Sequence, residues 1–178
     1  MIAAIVLAAG RGRRYDGVKQ LHPVAGRAML ERVVATVASA GLDDRVVVLG
    51  ARADQVREAV ELGDSRVVVC PNWADGQAAS LRCGLDAVGP EIDAAMVVLG
   101  DGPGLTPAAI ERLREAHVQR PQAVLAADYG EGRSHPVVLP RAVWRLLPAD
   151  GETPGRALDW EAVDCSDLDP PGDIDYSS

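Results

Sequence analysis

Residues 1–20 read MIAAIVLAAGRGRRYDGVKQ. Ile2 to Leu7 form an almost unbroken aliphatic run, which suits a strand covered on both faces, as in a parallel sheet. The run ends in Leu7-Ala8-Ala9-Gly10-Arg11-Gly12-Arg13-Arg14, with Lys19 close behind. Gly10 and Gly12 carry no Cβ, so a backbone at those positions can approach a phosphate and aim N–H groups at it. Arg11, Arg13, Arg14 and Lys19 add positive charge on a chain whose net charge is -8. A strand that delivers a cationic glycine turn is what a triphosphate requires. The alternative is a surface turn with solvated arginines. The spacing is not GxxxxGK[ST], and no third glycine opens a helix, so neither a P-loop nor a dinucleotide fingerprint is present.

Working outward, further apolar runs of strand length occur at Arg45 to Leu49, Arg66 to Cys70, Ala94 to Leu99 and Ala123 to Ala126. Helical segments separate them. Met29, Leu30, Val33, Val34 and Val37 share one helical face, with Gly41 as the stop. Val56, Ala59 and Val60 mark a shorter helix, and Ala78 to Ala87 a third. Thr106-Pro107 opens a fourth, with Thr as N-cap, Pro at the first helical position, and Ile110 and Leu113 inward. Strands alternating with helices predict a doubly wound α/β sheet. After Ala126 the rhythm changes: Asp128 to Ser134 reads as a loop, His135 to Leu139 as an antiparallel strand and Arg141 to Leu147 as a helix. With no linker visible, residues 1–178 are expected to form one domain, its tail from about residue 165 frayed.

Composition narrows the function classes. The chain has 178 residues, enough for a sizeable core, and no Phe, so Val, Leu, Ile and Ala must build it. The acidic surface argues against nucleic acid and anionic membrane as partners. No stretch is long enough to span a bilayer, and the N-terminus lacks the basic flank of a signal peptide. Cys70, Cys83 and Cys165 form no CxxC or Cys/His cluster, and their odd number fits reduced thiols in a cytoplasmic protein better than a disulfide framework.

A second chemical signal is Leu99-Gly100-Asp101-Gly102-Pro103. Asp101 follows an apolar strand, and ligands bind beyond the carboxyl ends of parallel strands. A lone Asp among glycines there either holds Mg²⁺ against phosphate oxygens or caps the following turn.

Taken together, LAAGxGxR…K, NWxxGxxxSLxxGL, GDxP and HPV resemble the molybdenum cofactor nucleotidyltransferase family, and within it most closely the cytidylyltransferases. The resemblance runs from Leu7 to Val137 and weakly to Asp175. It implies a Rossmann-like three-layer α/β sandwich of the nucleotide-diphospho-sugar transferase kind, with a mostly parallel sheet. It implies CTP or GTP as donor, Mg²⁺ as cofactor, and the phosphate of a molybdopterin cofactor as acceptor. A molybdenum hydroxylase apo-enzyme would then receive the product. Gly10, Arg11, Gly12, Arg14 and Lys19 match the family's triphosphate loop, with Leu7, Ala8 and Ala9 leading into it. Lys19, Arg14 and Asp101 take the catalytic roles by this match. Asn72, Gly76 and Ser80 match the segment lining the nucleotide pocket, and Pro23-Val24-Ala25-Gly26 a loop under the base. Ala9 stands where the guanylyl enzymes usually have Gly, which favours CTP. Asp101 matches the metal aspartate, and Asp173 in Asp173-Ile174-Asp175 a second one, although Tyr176-Ser177-Ser178 replaces the family's Thr-Pro-Glu. His135 matches a segment near the acceptor, where it either contacts the acceptor or is a hydrogen-bonded loop residue. Gly102 and Ser134 depart from the residues usual there. The rival expectations are another cytidylyltransferase or sugar-phosphate nucleotidyltransferase, and a non-catalytic nucleotide- or molybdopterin-binding carrier.

Overall fold

The structure is a computed structural model that describes residues 1–12, 17–151 and 158–172. Its strands are β1 (Ile2–Ala8), β2 (Pro23–Val24), β3 (Arg27–Ala28), β4 (Asp44–Leu49), β5 (Arg66–Val69), β6 (Ala94–Leu99), β7 (Val124–Asp128), β8 (Arg133–Pro140) and β9 (Trp160–Asp164). Its α-helices are α1 (Met29–Ser39), α2 (Ala53–Ala59), α3 (Gln77–Ala87) and α4 (Pro107–Gln119). The main sheet runs in the order β5-β4-β1-β6-β8-β7-β9, and β2 and β3 form a separate hairpin. β5, β4, β1 and β6 are mutually parallel, β9 is parallel to β7, and β8 alone runs antiparallel to both its neighbours.

The alternation along β1 builds the three layers. Ile2, Ala4, Val6 and Ala8 pack with Leu30, Val33, Val37, Val56, Ile110 and Leu113 from α1, α2 and α4. Ala3, Ile5, Leu7 and Ala9 pack with Leu81 and Leu85 of α3 on the opposite face. This is the expected Rossmann-like sandwich with a mostly parallel sheet. The close fit of α3 needs Gly84, because a Cβ there would stand 2.6 Å from Ile5 Cγ2. The helix signals also hold. The Thr106 hydroxyl accepts from Ala109 N at 3.2 Å with Pro107 behind it, and Gly41 takes φ +64 after α1.

Several readings are corrected. β5 is an edge strand, and Val69 is 45% exposed, so this run is not covered on both faces. Arg141–Leu146 winds as a 3-10 rather than an α-helix. β9 and the β2–β3 hairpin carry too little aliphatic pattern to be read in advance. Within the tail expected to fray, Cys165 is fully buried and Pro171 O accepts from Gly104 N at 2.8 Å, while residues 173–178 lie outside the described residues. Cys70 and Cys83 are not independent thiols but a disulfide, with Cα atoms 5.7 Å apart. α3 returns over the end of β5 and brings them together, a juxtaposition that spacing alone did not reveal. Cys165 remains a buried thiol.

Candidate active site

The site is assembled at the carboxyl ends of β1 and β6. These strands are paired in parallel up to Leu7 opposite Leu99, so the turns that follow, Gly10–Gly12 and Gly100–Gly104, leave the sheet side by side. Gly100 is required for this closeness: a Cβ there would lie 2.9 Å from Ala8 Cβ and 3.1 Å from Leu7 O. The expected facing of cationic turn and carboxylate is therefore present. Lys19 Nζ lies 2.8 Å from Asp101 Oδ2; the lysine side chain is 10% exposed and the aspartate 34%. Lys19 is thus held inside while Asp101 still opens to the cleft.

The turn after β1 has all its leading carbonyls engaged. Leu7 O accepts from Gly100 N at 2.8 Å, and Ala9 O from Ala51 N at 3.0 Å. The buried Gln20 amide donates through Nε2 to Ala8 O at 2.7 Å and to Gly10 O at 3.0 Å. With its carbonyls turned inward, what the turn can offer an anion is its N–H groups, and Gly12 at φ +62 bends the chain for that purpose. Gln20 was given no role from the sequence. Its neighbour Lys19 drew attention by charge, whereas an amide that satisfies two carbonyls leaves no signature of its own.

A cleft of about 310 Å³ opens here, lined by Leu7, Ala9, Gly10, Arg11, Trp73, Gly76, Ser80 and Asp101 among others. The Arg11 guanidinium lies 5.3 Å from the centre of the Trp73 ring, close enough for a cation–π contact. Trp73 in turn rests on Gly50, where a Cβ would come within 2.5 Å of Trp73 Cβ and 2.7 Å of Ala9 O. Gly76 takes φ +109 at the start of α3, and a Cβ there would stand 2.6 Å from Gly151 O.

Of the residues named from the sequence, Leu7, Ala9, Gly10, Arg11, Gly76, Ser80 and Asp101 line this one cleft, and Lys19 joins it through Asp101. Asn72 does not line it; its Oδ1 lies 3.2 Å from Cys70 Sγ and 3.6 Å from Cys83 Sγ, beside the disulfide. Arg14 and Asp173 lie outside the described residues, so the second expected metal ligand has no described position.

His135 stands in a neighbouring cleft of about 300 Å³ that shares Leu99 with the first. Val98, Leu105, Pro170 and Pro171 give it apolar walls; Glu131, Ser134 and His135 give it polar groups. Burial, with the Arg133 charge adding to it, pushes the His135 imidazole down to about 4, so it is neutral at pH 7. The prolines reach this position because Gly102 and Gly104 leave room: Cβ atoms there would meet Pro171 Cβ at 3.0 Å and Pro171 O at 2.8 Å. That accounts for glycine at position 102, the departure noted in the sequence. Asp128 Oδ1 accepts from Gly130 N at 2.8 Å and Gly132 N at 3.0 Å, which shapes the loop presenting Glu131.

A glycine turn and a carboxylate at adjoining parallel strand ends, in this sheet order, define a nucleotidyltransferase of the Rossmann-like class. Residues 4–161 match the model of the MobA-like NTP transferase domain, and the chain belongs to that family. Nicotine blue oxidoreductase of Paenarthrobacter nicotinovorans is 32% identical, over 98% of this chain and 92% of that protein. The bifunctional protein GlmU of Symbiobacterium thermophilum is 36% identical over 84% of this chain, which spans only 31% of that longer protein. Among solved structures, Rv0371c of Mycobacterium tuberculosis matches with TM-score 0.81 and 31% identity, covering 98% of this chain and 93% of that one. A nucleotidyl transferase of Methanothermobacter thermautotroptrophicus matches with TM-score 0.76 and 30% identity, covering 86% and 79%.

Proposed function

We propose that this enzyme transfers CMP from CTP to the phosphate of a molybdopterin-type acceptor and releases pyrophosphate. The observation that carries this reading is the 2.8 Å contact between Lys19 Nζ and Asp101 Oδ2, with Asp101 lining the same cleft as Gly10 and Arg11 of the glycine turn. A cation and a carboxylate held together there suit a triphosphate that arrives with its own divalent ion. The first would meet phosphate oxygens and the second the metal.

Asp101 fits Mg²⁺ in a specific sense. Among the described residues no group of three or more His, Cys, Asp and Glu could hold a metal ion. A single carboxylate opening on a cleft matches an ion that keeps several waters and takes its other ligands from substrate phosphates. By resemblance Asp173 would share it. Rv0371c has been solved in complex with manganese. When bound, the ion supplies neutralisation of phosphate charge.

The chain's own residues would do the rest by positioning and electrostatics, since phosphoryl and nucleotidyl transfers require little covalent work. The acceptor phosphate is already ionised at neutral pH and attacks the α-phosphorus in line. Lys19, Arg11 and, by resemblance, Arg14 offset the charge building on the departing pyrophosphate. Ala9, in place of the guanylyl enzymes' Gly, supports CTP over GTP. The neighbouring cleft suits the acceptor's ring system: the carboxylate of Glu131 and the neutral His135 can meet N–H groups between apolar walls, and neither Lys nor Arg lines it among the described residues. The acceptor phosphate would then lie toward Lys19. A cytoplasmic location fits the substrates.

The test is a matrix of CTP, GTP, UTP and ATP against molybdopterin, methylerythritol phosphate and a hexosamine phosphate with Mg²⁺, read by product mass. Formation of the cytidylyl dinucleotide and its loss in Asp101→Ala are expected. Turnover of a sugar phosphate alone would transfer the assignment to a sugar-phosphate nucleotidyltransferase. Tight CTP binding without pyrophosphate release would make the protein a carrier. A second reading, a redox reaction on a dye, is favoured by the near-full-length match to nicotine blue oxidoreductase. Nicotine blue with a reduced nicotinamide dinucleotide, followed by absorbance, belongs in the same assay series. The lack of a dinucleotide fingerprint after β1 weighs against it.

A further inference from the structure

The Cys70–Cys83 disulfide encloses a short segment that forms one side of the nucleotide cleft. Between the two cysteines lie Trp73, Ala74, Gly76, Gln77 and Ser80, all of which line that cleft. No residue of the 3-10 turn Trp73–Asp75 is fully buried, and its packing rests on the half-buried Trp73 ring beside Gly50. Its two ends are firm. Cys70 is fully buried, its N donates to Leu49 O at 2.8 Å, and Cys83 sits within α3. Helix α3 is itself moored where Arg82 donates to Leu147 O and Ala78 N to Gly151 O. Cys83 is only partly buried, which leaves one sulfur within reach of a small thiol. Asn72, between the cysteines, turns its side chain toward both sulfurs rather than into the cleft.

We propose that this disulfide is a redox latch on the cleft wall: closed, it holds Trp73 and Gly76 in place for the nucleotide, and open, it releases the wall and weakens nucleotide binding. The proposal rests on the cleft being the nucleotide site. Closure takes place by thiol–disulfide exchange with a low-molecular-weight disulfide such as oxidised glutathione. One cysteine thiolate attacks and expels one glutathione thiolate, leaving a mixed disulfide; the second cysteine thiolate then expels the other glutathione. Two protein thiols become one disulfide, and one glutathione disulfide becomes two thiols. Reduction by a dithiol reverses the sequence.

The test equilibrates the whole protein in glutathione buffers of graded ratio and counts thiols by alkylation and mass. It then measures CTP affinity by calorimetry and amide exchange over residues 71–82. Expected are a two-electron transition of the pair, faster exchange of 71–82 after reduction, and a Kd for CTP about fivefold weaker or more. Cys83→Ser should show the reduced behaviour in every buffer and no response to dithiothreitol. Unchanged exchange and unchanged CTP affinity on reduction would overturn the latch, as would two free thiols at every glutathione ratio. Faster exchange after reduction with no CTP binding in either state would support the latch and overturn the nucleotide reading.

Discussion

The two sides of the sheet are built differently. On the β5-β4-β1-β6 side every pair is parallel, an α-helix separates each of these strands from the next in the chain, and the cleft lined by Gly10, Arg11 and Asp101 sits where parallel strands end. On the β8-β7-β9 side an antiparallel strand is wedged against β6, and the second cleft is walled by the distant segment Pro170–Gly172. The first side uses a general solution for presenting backbone amides to phosphate. The second is closed by a piece of chain whose position depends on two glycines in another loop. The proposed donor site is thereby tied to the sheet itself, whereas the proposed acceptor site can change with its loops.

The largest effect that would sharpen this contrast is at Asp101. Asp101→Ala should lower kcat by about a thousandfold with every acceptor, the scale for losing a group that stabilises transition-state charge, as read by pyrophosphate release. Lys19→Ala should lower kcat and raise the KM for CTP together. Gln20→Leu tests whether the donor site is a pre-set turn. It keeps the volume but leaves the carbonyls of Ala8 and Gly10 without their donor, at a cost of about 1–3 kcal/mol for buried groups. Its kcat/KM for CTP should fall by about tenfold or more, with the KM for the acceptor unchanged.

Changes on the other side should be smaller and confined to the acceptor. Glu131→Gln is expected to raise the acceptor KM by about tenfold, the scale of one charge-assisted hydrogen bond of about 1.5 kcal/mol, without altering CTP affinity by calorimetry. An equal loss for both substrates would break the division into two clefts. The smallest effect concerns pH. His135 is neutral in the folded protein down to about pH 4, whereas its unfolded form gains a proton below about pH 6.5. The unfolded state therefore binds more protons across this window, and stability should fall as the pH drops from about 6.5 to about 4. The Tm of His135→Gln should depend less on pH in that range; equal slopes for both proteins would remove His135 as the cause.

How much could be read in advance follows the same divide. The aliphatic runs at Ile2–Leu7 and Ala94–Leu99, and the Thr106-Pro107 start of α4, are local signals, because burial on both faces and helix capping act on neighbouring residues. The antiparallel β8 was legible as a strand after a polar loop. β9 was not, since four of its five residues are exposed and its place is given by pairing with β7. Within the site, charge and glycine singled out Arg11, Gly10, Lys19 and Asp101. Gln20, Trp73 and Gly50 act by filling space or satisfying backbone groups, and such roles emerge only when the neighbours are known.

By itself the sequence determined the alternation of strands and helices, the glycine turn after the first strand and the carboxylate after β6, because each follows from periodicity or from the conformational freedom of a few adjacent residues. Tertiary structure alone decided that Cys70 meets Cys83, that Asn72 faces their sulfurs instead of the cleft, and that Pro171 closes the second cleft over Gly102 and Gly104. The first two depend on how α3 folds back over the end of β5 and the third on how a distant segment crosses the sheet, so their geometry is set by the packing of whole layers rather than by any local preference.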